Sequence, residues 1–145
     1  MIGEICSKPV VTVGRMTSVR DAARLMREKK VGALVVVDGT KPVAVVTDRD
    51  ITVSVVADGR DASTVPVNEI MHPELTVIPA ERGLLDAARI FAAKGVRRLP
   101  VVDRRGKVMG ILSLDDLLIL LGEEMNCVAA ALQRGLGRRM IRAAS

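Results

Sequence analysis

Two short stretches pair a hydroxyl with a carboxylate at one spacing: Thr47-x-x-Asp50 and Ser113-x-x-Asp116. Each follows an apolar run that reads as a strand and opens a run that reads as a helix. A hydroxyl at the strand end and a carboxylate three residues on can point into one cleft. A carboxylate accepts two hydrogen bonds from a diol such as ribose. The hydroxyl and the free N–H groups of a helix start favour a phosphate. The same residues also fit a plainer role, Thr47 and Ser113 as N-caps and Asp50 and Asp116 as dipole-matching acids in the first turn. Sequence physics leaves both readings open. Arg98 stands at the entry of a buried strand, where a solvated arginine is less expected, and its forked donors suit an oxyanion. Arg97 beside it serves a neighbouring site or faces water.

Positioning these groups is the task of a chain written twice. Asp21-Ala22-Ala23-Arg24 returns as Asp86-Ala87-Ala88-Arg89, and Val36-Val37-Asp38 returns as Val101-Val102-Asp103. The offset stays at about 65 residues, which implies two similar folded halves with two related sites in a cleft between them. The halves are unequal where it matters. Gly32 and Ala33 stand where Arg97 and Arg98 stand, so Arg49 is the first half's replacement charge. The counterpart of Arg49 is Asp115, whose carboxylate repels phosphate unless a cation or Arg98 compensates.

Each half reads β-α-β-β-α, an α/β fold. A short extended segment follows a proline, at Pro9-Val10-Val11-Thr12-Val13 and Pro73-Glu74-Leu75-Thr76-Val77. An amphipathic helix comes next, with stripes Val19, Ala22, Ala23, Met26 and Leu84, Ala87, Ala88, Phe91. Thr17 or Ser18 can cap the first. Gly32 and Gly95 lie at the helix ends, where a left-handed residue is often needed. Two apolar strands around a tight turn follow, then a second helix with apolar residues at Ile51, Val55 and Leu117, Leu121. Residues 58–64 read as the linker. Beyond Leu121, Met125, Val128, Leu132 and Leu136 continue at helical spacing, and Gly135 and Gly137 weaken that helix.

Composition narrows the function. Phe91 is the single aromatic in 145 residues, so no platform exists for stacking nucleobases of a single strand. The net charge is +5, but without Arg134, Arg138, Arg139 and Arg142 the basic count falls from 22 to 18, against 17 acids. The body is nearly neutral and only the tail is basic, which makes nucleic acid an unlikely partner. No apolar run approaches the roughly 20 residues of a membrane span, and the N-terminus has no signal pattern. Cys6 and Cys127 have neither CxxC nor His partner spacing, so no metal site or disulfide framework is expected. His72, beside Pro73, reads as solvated or capping. A cytoplasmic, reduced protein is the default expectation.

Gly110-Ile111-Leu112-Ser113-Leu114-Asp115-Asp116, Val96-Arg97-Arg98-Leu99-Pro100-Val101-Val102-Asp103 and Val43-Ala44-Val45-Val46-Thr47-Asp48-Arg49-Asp50 together resemble the CBS domain family, whose tandem pairs are called Bateman modules. The resemblance runs from about Glu4 to Leu121. It implies two sheets facing each other around a pseudo-twofold axis, with repeats at 4–64 and 65–124; the helical spacing and the arginines beyond them make 125–145 a basic helical tail. The resemblance also implies a regulatory module rather than an enzyme, needing no cofactor. The implied ligand is an adenosine nucleotide: AMP, ADP, ATP or the S-adenosylmethionine class. In nucleotide-sensing members an arginine at the position of Arg98 contacts phosphate. Thr12, Val13, Thr76 and Val77 are then expected along the adenine edge, and Leu99 and Pro100 complete the set around Arg97 and Arg98. The site with Ser113, Asp116 and Arg98 is expected to be tighter than the site with Thr47 and Asp50. A homodimer through the second helices is expected. The alternative is an interaction or scaffold module acting through that dimer surface and the tail, which could dock a protein partner.

Overall fold

The computed structural model describes residues 1–144, and the side chains of all of these but 140, 141 and 143. Ser145, the end of the expected tail, lies outside the described residues. The β-α-β-β-α order appears twice. In the first half it runs β1 (Thr12–Gly14), α2 (Val19–Lys29), β2 (Ala33–Asp38), β3 (Lys41–Thr47) and α3 (Asp48–Ile51), which continues as a π-helical turn over Thr52–Val56. In the second it runs β4 (Ile78–Pro79), α4 (Leu84–Lys94), β5 (Arg98–Val102), β6 (Val108–Ser113) and α5 (Leu114–Ala144). A short α1 (Ile2–Ile5) precedes them.

Two three-stranded sheets result, ordered β1-β2-β3 and β4-β5-β6. In each, the first strand lies parallel to the second and the second antiparallel to the third. The duplication extends to irregularities: both hairpins carry a register shift, at Val36/Val37 and at Val101/Val102. Both turn through a glycine in the left-handed region, Gly39 at φ 60° and Gly106 at φ 78°.

Ser18 is the cap of α2, its Oγ accepting from the Asp21 N–H at 3.1 Å. The helix ends on Lys30, at φ 54°, rather than on Gly32. Gly32 is small for another reason: a Cβ there would lie 3.1 Å from Asp48 Oδ2. The extended segment expected at 73–77 forms its strand later, at Ile78–Pro79. Val13 pairs with Val36 and Ile78 with Val101. Because Val36 and Val101 are counterparts, Val13 corresponds to Ile78, Thr12 to Val77 and Val11 to Thr76. The sequence alignment of Thr12 with Thr76 is therefore one residue out, and one residue along a strand reverses the face.

Two hydrophobic cores form, and each borrows from the far side of the chain. The first joins Val13, Val19, Met26, Leu34, Val36 and Val46 with Val65, Val67 and Ile70. The second joins Ile78, Phe91, Leu99, Leu112 and Leu117 with Ile2 and Cys6. Backbone bonds tie down both exchanges. Ile2 N–H donates to Arg82 O at 2.8 Å and Ser7 N–H to Ile111 O at 2.9 Å, while Val67 N–H donates to Thr17 O at 2.9 Å. Gly110 admits the N-terminal segment, since a Cβ there would collide with Cys6 Sγ and lie 3.1 Å from Ser7 O.

The homodimer face drawn from sequence needs correction. Val55 and Leu117 are buried in their own cores and Ile51 is half-buried, because the second helices turn those residues onto their own sheets. The exposed large apolar residues of these helices are Val53 and Val56 in the first repeat and Leu118, Ile119, Leu121, Met125, Val128, Leu132 and Leu136 along α5. Among the described residues no helix is long and apolar enough to cross a membrane.

Ile2→Ala should cost about 2–5 kcal/mol in urea unfolding, the range for emptying a filled core position; a change below about 0.5 kcal/mol, the size of a neutral surface substitution, would detach α1 from the core. Burial pushes the Cys6 thiol up, whereas Cys127 is exposed. A disulfide reagent should therefore titrate one thiol at once in the native protein and the second only as the chain unfolds. Two equally fast thiols would contradict the burial of Cys6.

Candidate ligand-binding clefts

The strand-to-helix junctions after β3 and β6 have one geometry. Asp50 N–H donates to Thr47 Oγ1 at 3.1 Å, and Thr47 N–H donates to Asp50 Oδ2 at 2.8 Å. Asp116 N–H donates to Ser113 Oγ at 3.0 Å, and Ser113 N–H donates to Asp116 Oδ2 at 3.2 Å. Both are reciprocal capping boxes built with Asp. The capping role is thus realised twice, and in each case one carboxylate oxygen remains outside the box.

The junctions open into different clefts, each made by both repeats. The first cleft has a volume of about 320 Å³. Thr47, Asp48, Arg49 and Asp50 of the first repeat face Thr76 and the corner Val96-Arg97-Arg98 of the second. The other cleft, about 190 Å³, sets Ser113 and Asp116 of the second repeat against Val31, Gly32 and Ala33 of the first, with Arg98 reaching in. The arginine corner of the second repeat therefore serves mainly the first repeat's motif. Arg98 is opposite Ser113 in the β5–β6 ladder and lines both clefts. The sequence grouping of Arg98 with Ser113 and Asp116 captured half of its surroundings.

The larger cleft offers an anion two guanidiniums that nothing else among the described residues holds. Its lining carries three arginines and three acids. Two of the acids are engaged, Asp50 with the Thr47 amide and Asp48 Oδ1 with the Arg49 N–H at 2.8 Å, while Glu74 is exposed and has no hydrogen bond or ion pair among the described residues. The guanidiniums of Arg49 and Arg98 have no hydrogen bond or ion pair among the described residues. Arg97 meets Asp115 at 3.5 Å, both side chains 72% exposed, a weak contact. Asp115 itself lines neither cleft.

His72, expected from sequence to be solvated or capping, is exposed and lines the larger cleft. Its Nε2 lies 3.0 Å from Asp50 Oδ1, the oxygen left free by the capping box. His72 is 74% exposed and Asp50 only 14%, so the imidazole is a removable cover on a sheltered carboxylate. A signal existed: His72-Pro73 repeats Lys8-Pro9, a basic residue before proline at the start of each half.

Other expected residues lie elsewhere. Thr76 lines the larger cleft and Val77 is half-buried next to it. Thr12 borders a separate small cleft with Thr40 and Lys107, and Val13 is buried in the first core, as the one-residue slip requires. Leu99 and Pro100 are buried beneath the arginine corner and line neither cleft.

Two copies of one unit, facing each other with strand-end capping boxes opening between them, match one family model. The CBS domain model covers residues 2–57 and again 67–123. The chain belongs to the CBS domain family. CBS pairs are regulatory modules. Among relatives, the CBS domain-containing protein YhcV of Bacillus subtilis is 40% identical over 110 residues, 76% of this chain and 77% of that protein. The chain spans 60% to 77% of the length of the first curated relatives it matches. Among solved structures, a hexameric CBS-CP12 protein from bloom-forming cyanobacteria superposes with a TM-score of 0.73 and 38% identity, over 81% of this chain and 65% of that one. The CBS domain pair of protein MJ0100, in complex with 5′-methylthioadenosine and S-adenosyl-L-methionine, superposes with a TM-score of 0.75 and 25% identity, over 85% of this chain and 96% of that one.

The capping boxes carry their own test. Thr47→Ala and Ser113→Ala should each lower stability by about 0.5–2 kcal/mol in chemical unfolding. Unchanged stability in both variants would show that the hydroxyls are not caps.

Proposed function

We propose that this protein senses an adenine nucleotide bound in the larger cleft. The observation that carries the reading is the meeting of the Thr47–Asp50 box with the unpaired guanidiniums of Arg49 and Arg98. A ribose diol would take Asp50 Oδ1 in place of His72. Thr76, Leu75 and Val96 would flank the base, and the arginines would take phosphate oxygens through charge-assisted bonds. The MJ0100 pair holds adenosine compounds on a similar fold, which supports the adenosine class. The free arginines favour a phosphate over a sulfonium.

This reading reverses the order expected from sequence, because the cleft of Ser113 and Asp116 is smaller and its facing corner is uncharged. Binding would act by stabilising one arrangement of repeats or subunits, so the role is regulatory and not catalytic, with no required cofactor. A homodimer in the cytoplasm is the setting we propose, consistent with the two free cysteines and the exposed apolar residues of the second helices. The scaffold reading draws on those same residues and on the basic tail.

Titration calorimetry with AMP, ADP, ATP, adenosine and S-adenosylmethionine tests the ligand class; no heat with any of them at millimolar concentration would sink it. Asp50→Ala should abolish the tightest event and Asp116→Ala should spare it. Arg98→Ala should weaken AMP by about tenfold or more, the loss of one charge-assisted bond, and leave adenosine nearly unchanged. If Asp116→Ala removes the tight event and Asp50→Ala does not, the smaller cleft is the site.

A further inference from the structure

Helix α5 is 31 residues long, about 46 Å at 1.5 Å per residue. Only its first two turns pack on the body, through Leu117 and the half-buried Leu114 and Leu120. Every residue from 121 to 139 is exposed. Most helical stability in proteins comes from packing of an apolar face, which this stretch lacks, and Gly135 and Gly137 weaken it further.

A surface suited to pairing is written in the helix. Leu118, Leu121, Met125, Val128 and Leu132 follow at alternating spacings of three and four, and each is between 40% and 66% exposed. That alternation is the spacing of a paired-helix seam over two heptads; the next positions in step are Gly135 and Arg139, and the exposed Leu136 lies to one side. Charge is segregated along the axis: Glu123 and Glu124 come early, and Arg134, Arg138 and Arg139 come late.

The angular placement decides the direction of pairing. At about 100° per residue, Glu124 and Arg138 flank the apolar seam on the same edge, within about 40° of each other. The opposite edge holds Gly122, Ala129 and Gln133, none of them charged. In an antiparallel pair like edges meet, so each Glu124 faces the other copy's Arg138. In a parallel pair that edge would meet the uncharged one. Neither Glu124 nor Arg138 has an ion-pair partner among the described residues. The register that matches these charges also sets Val128 against Leu132, the large Met125 against Gly135 and, at each end, Leu121 against Arg139, whose aliphatic stem can lie along the leucine while its charge stays in water. Small side chains at Ala129-Ala130-Ala131 leave room for close approach at the centre.

We propose that residues 118–139 of α5 pair antiparallel with the same helix of a second copy. This goes beyond the homodimer reading by naming its surface and polarity, and it does not depend on the nucleotide. Sedimentation equilibrium of the full chain without nucleotide tests it. Val128→Glu should weaken association on the order of 100-fold, since it buries two carboxylates in the seam. Glu124→Arg and Arg138→Glu should each weaken it roughly three- to thirtyfold by setting like charges face to face. The double variant Glu124→Arg/Arg138→Glu should return to within about threefold of the original, because both pairs are restored with reversed sign. A nitroxide on exposed Cys127 should report a copy-to-copy distance that Val128→Glu removes. A monomer at every concentration, association untouched by Val128→Glu, or a double variant as weak as its worse parent would each overturn the proposal. Association that persists in Val128→Glu would leave a homodimer through another surface standing.

Discussion

Ile2 reaches full burial only among residues of the second repeat, and Val67 only among residues of the first. Neither core closes without a segment that belongs, in chain order, to the other side of the molecule. This exchange is the constraint on which the rest depends. It couples the two repeats through packed side chains and backbone bonds rather than through a linker alone. The two sheets then meet at a set distance, and the clefts between them have defined walls. Close approach of the N-terminal segment is possible because Gly110 presents no Cβ to Cys6.

The pseudo-symmetric packing has a consequence for charge. Each cleft takes its capping box from one repeat and its opposite wall from the other. A difference between the repeats at one corner is therefore expressed at the other repeat's motif. Arg97 and Arg98 replace Gly32 and Ala33, and the cleft they enrich is that of Thr47 and Asp50. The capping boxes do two jobs with separate atoms. One carboxylate oxygen and the hydroxyl hold the helix start, and the second oxygen, as on Asp50 beside His72, stays available. Structural and binding roles, posed as alternatives by sequence physics, are compatible in space.

Burial is distributed unevenly along the chain. The two repeats close their cores completely, whereas α5 runs on from Leu121 with its apolar stripe in solvent. A helix gains most of its stability from packing, not propensity, so the body and the long helix answer to different requirements. The body closes its cores from within the chain, and residues 121–139 of the helix stay exposed.

Local pattern was enough for the repeat, the β-α-β-β-α order, the glycine turns and the Thr/Ser-x-x-Asp boxes. Each of these is set by periodicity or by hydrogen bonds within about four residues, which a sequence displays directly. The same pattern carried the helical run through Met125, Val128, Leu132 and Leu136, since spacing along one helix is also local. What tertiary structure decided is non-local. Ladder register, not sequence offset, separated Thr12 from Thr76 by one residue and so sent them to different surfaces. Packing against their own sheets removed Val55 and Leu117 from the surface. Apposition of the repeats brought Arg98 to Thr47 and Asp50, and folding of the connection laid His72 on Asp50. Those partners are far apart in the chain, and no spacing rule links them; only the closing of the two exchanged cores brings them within reach.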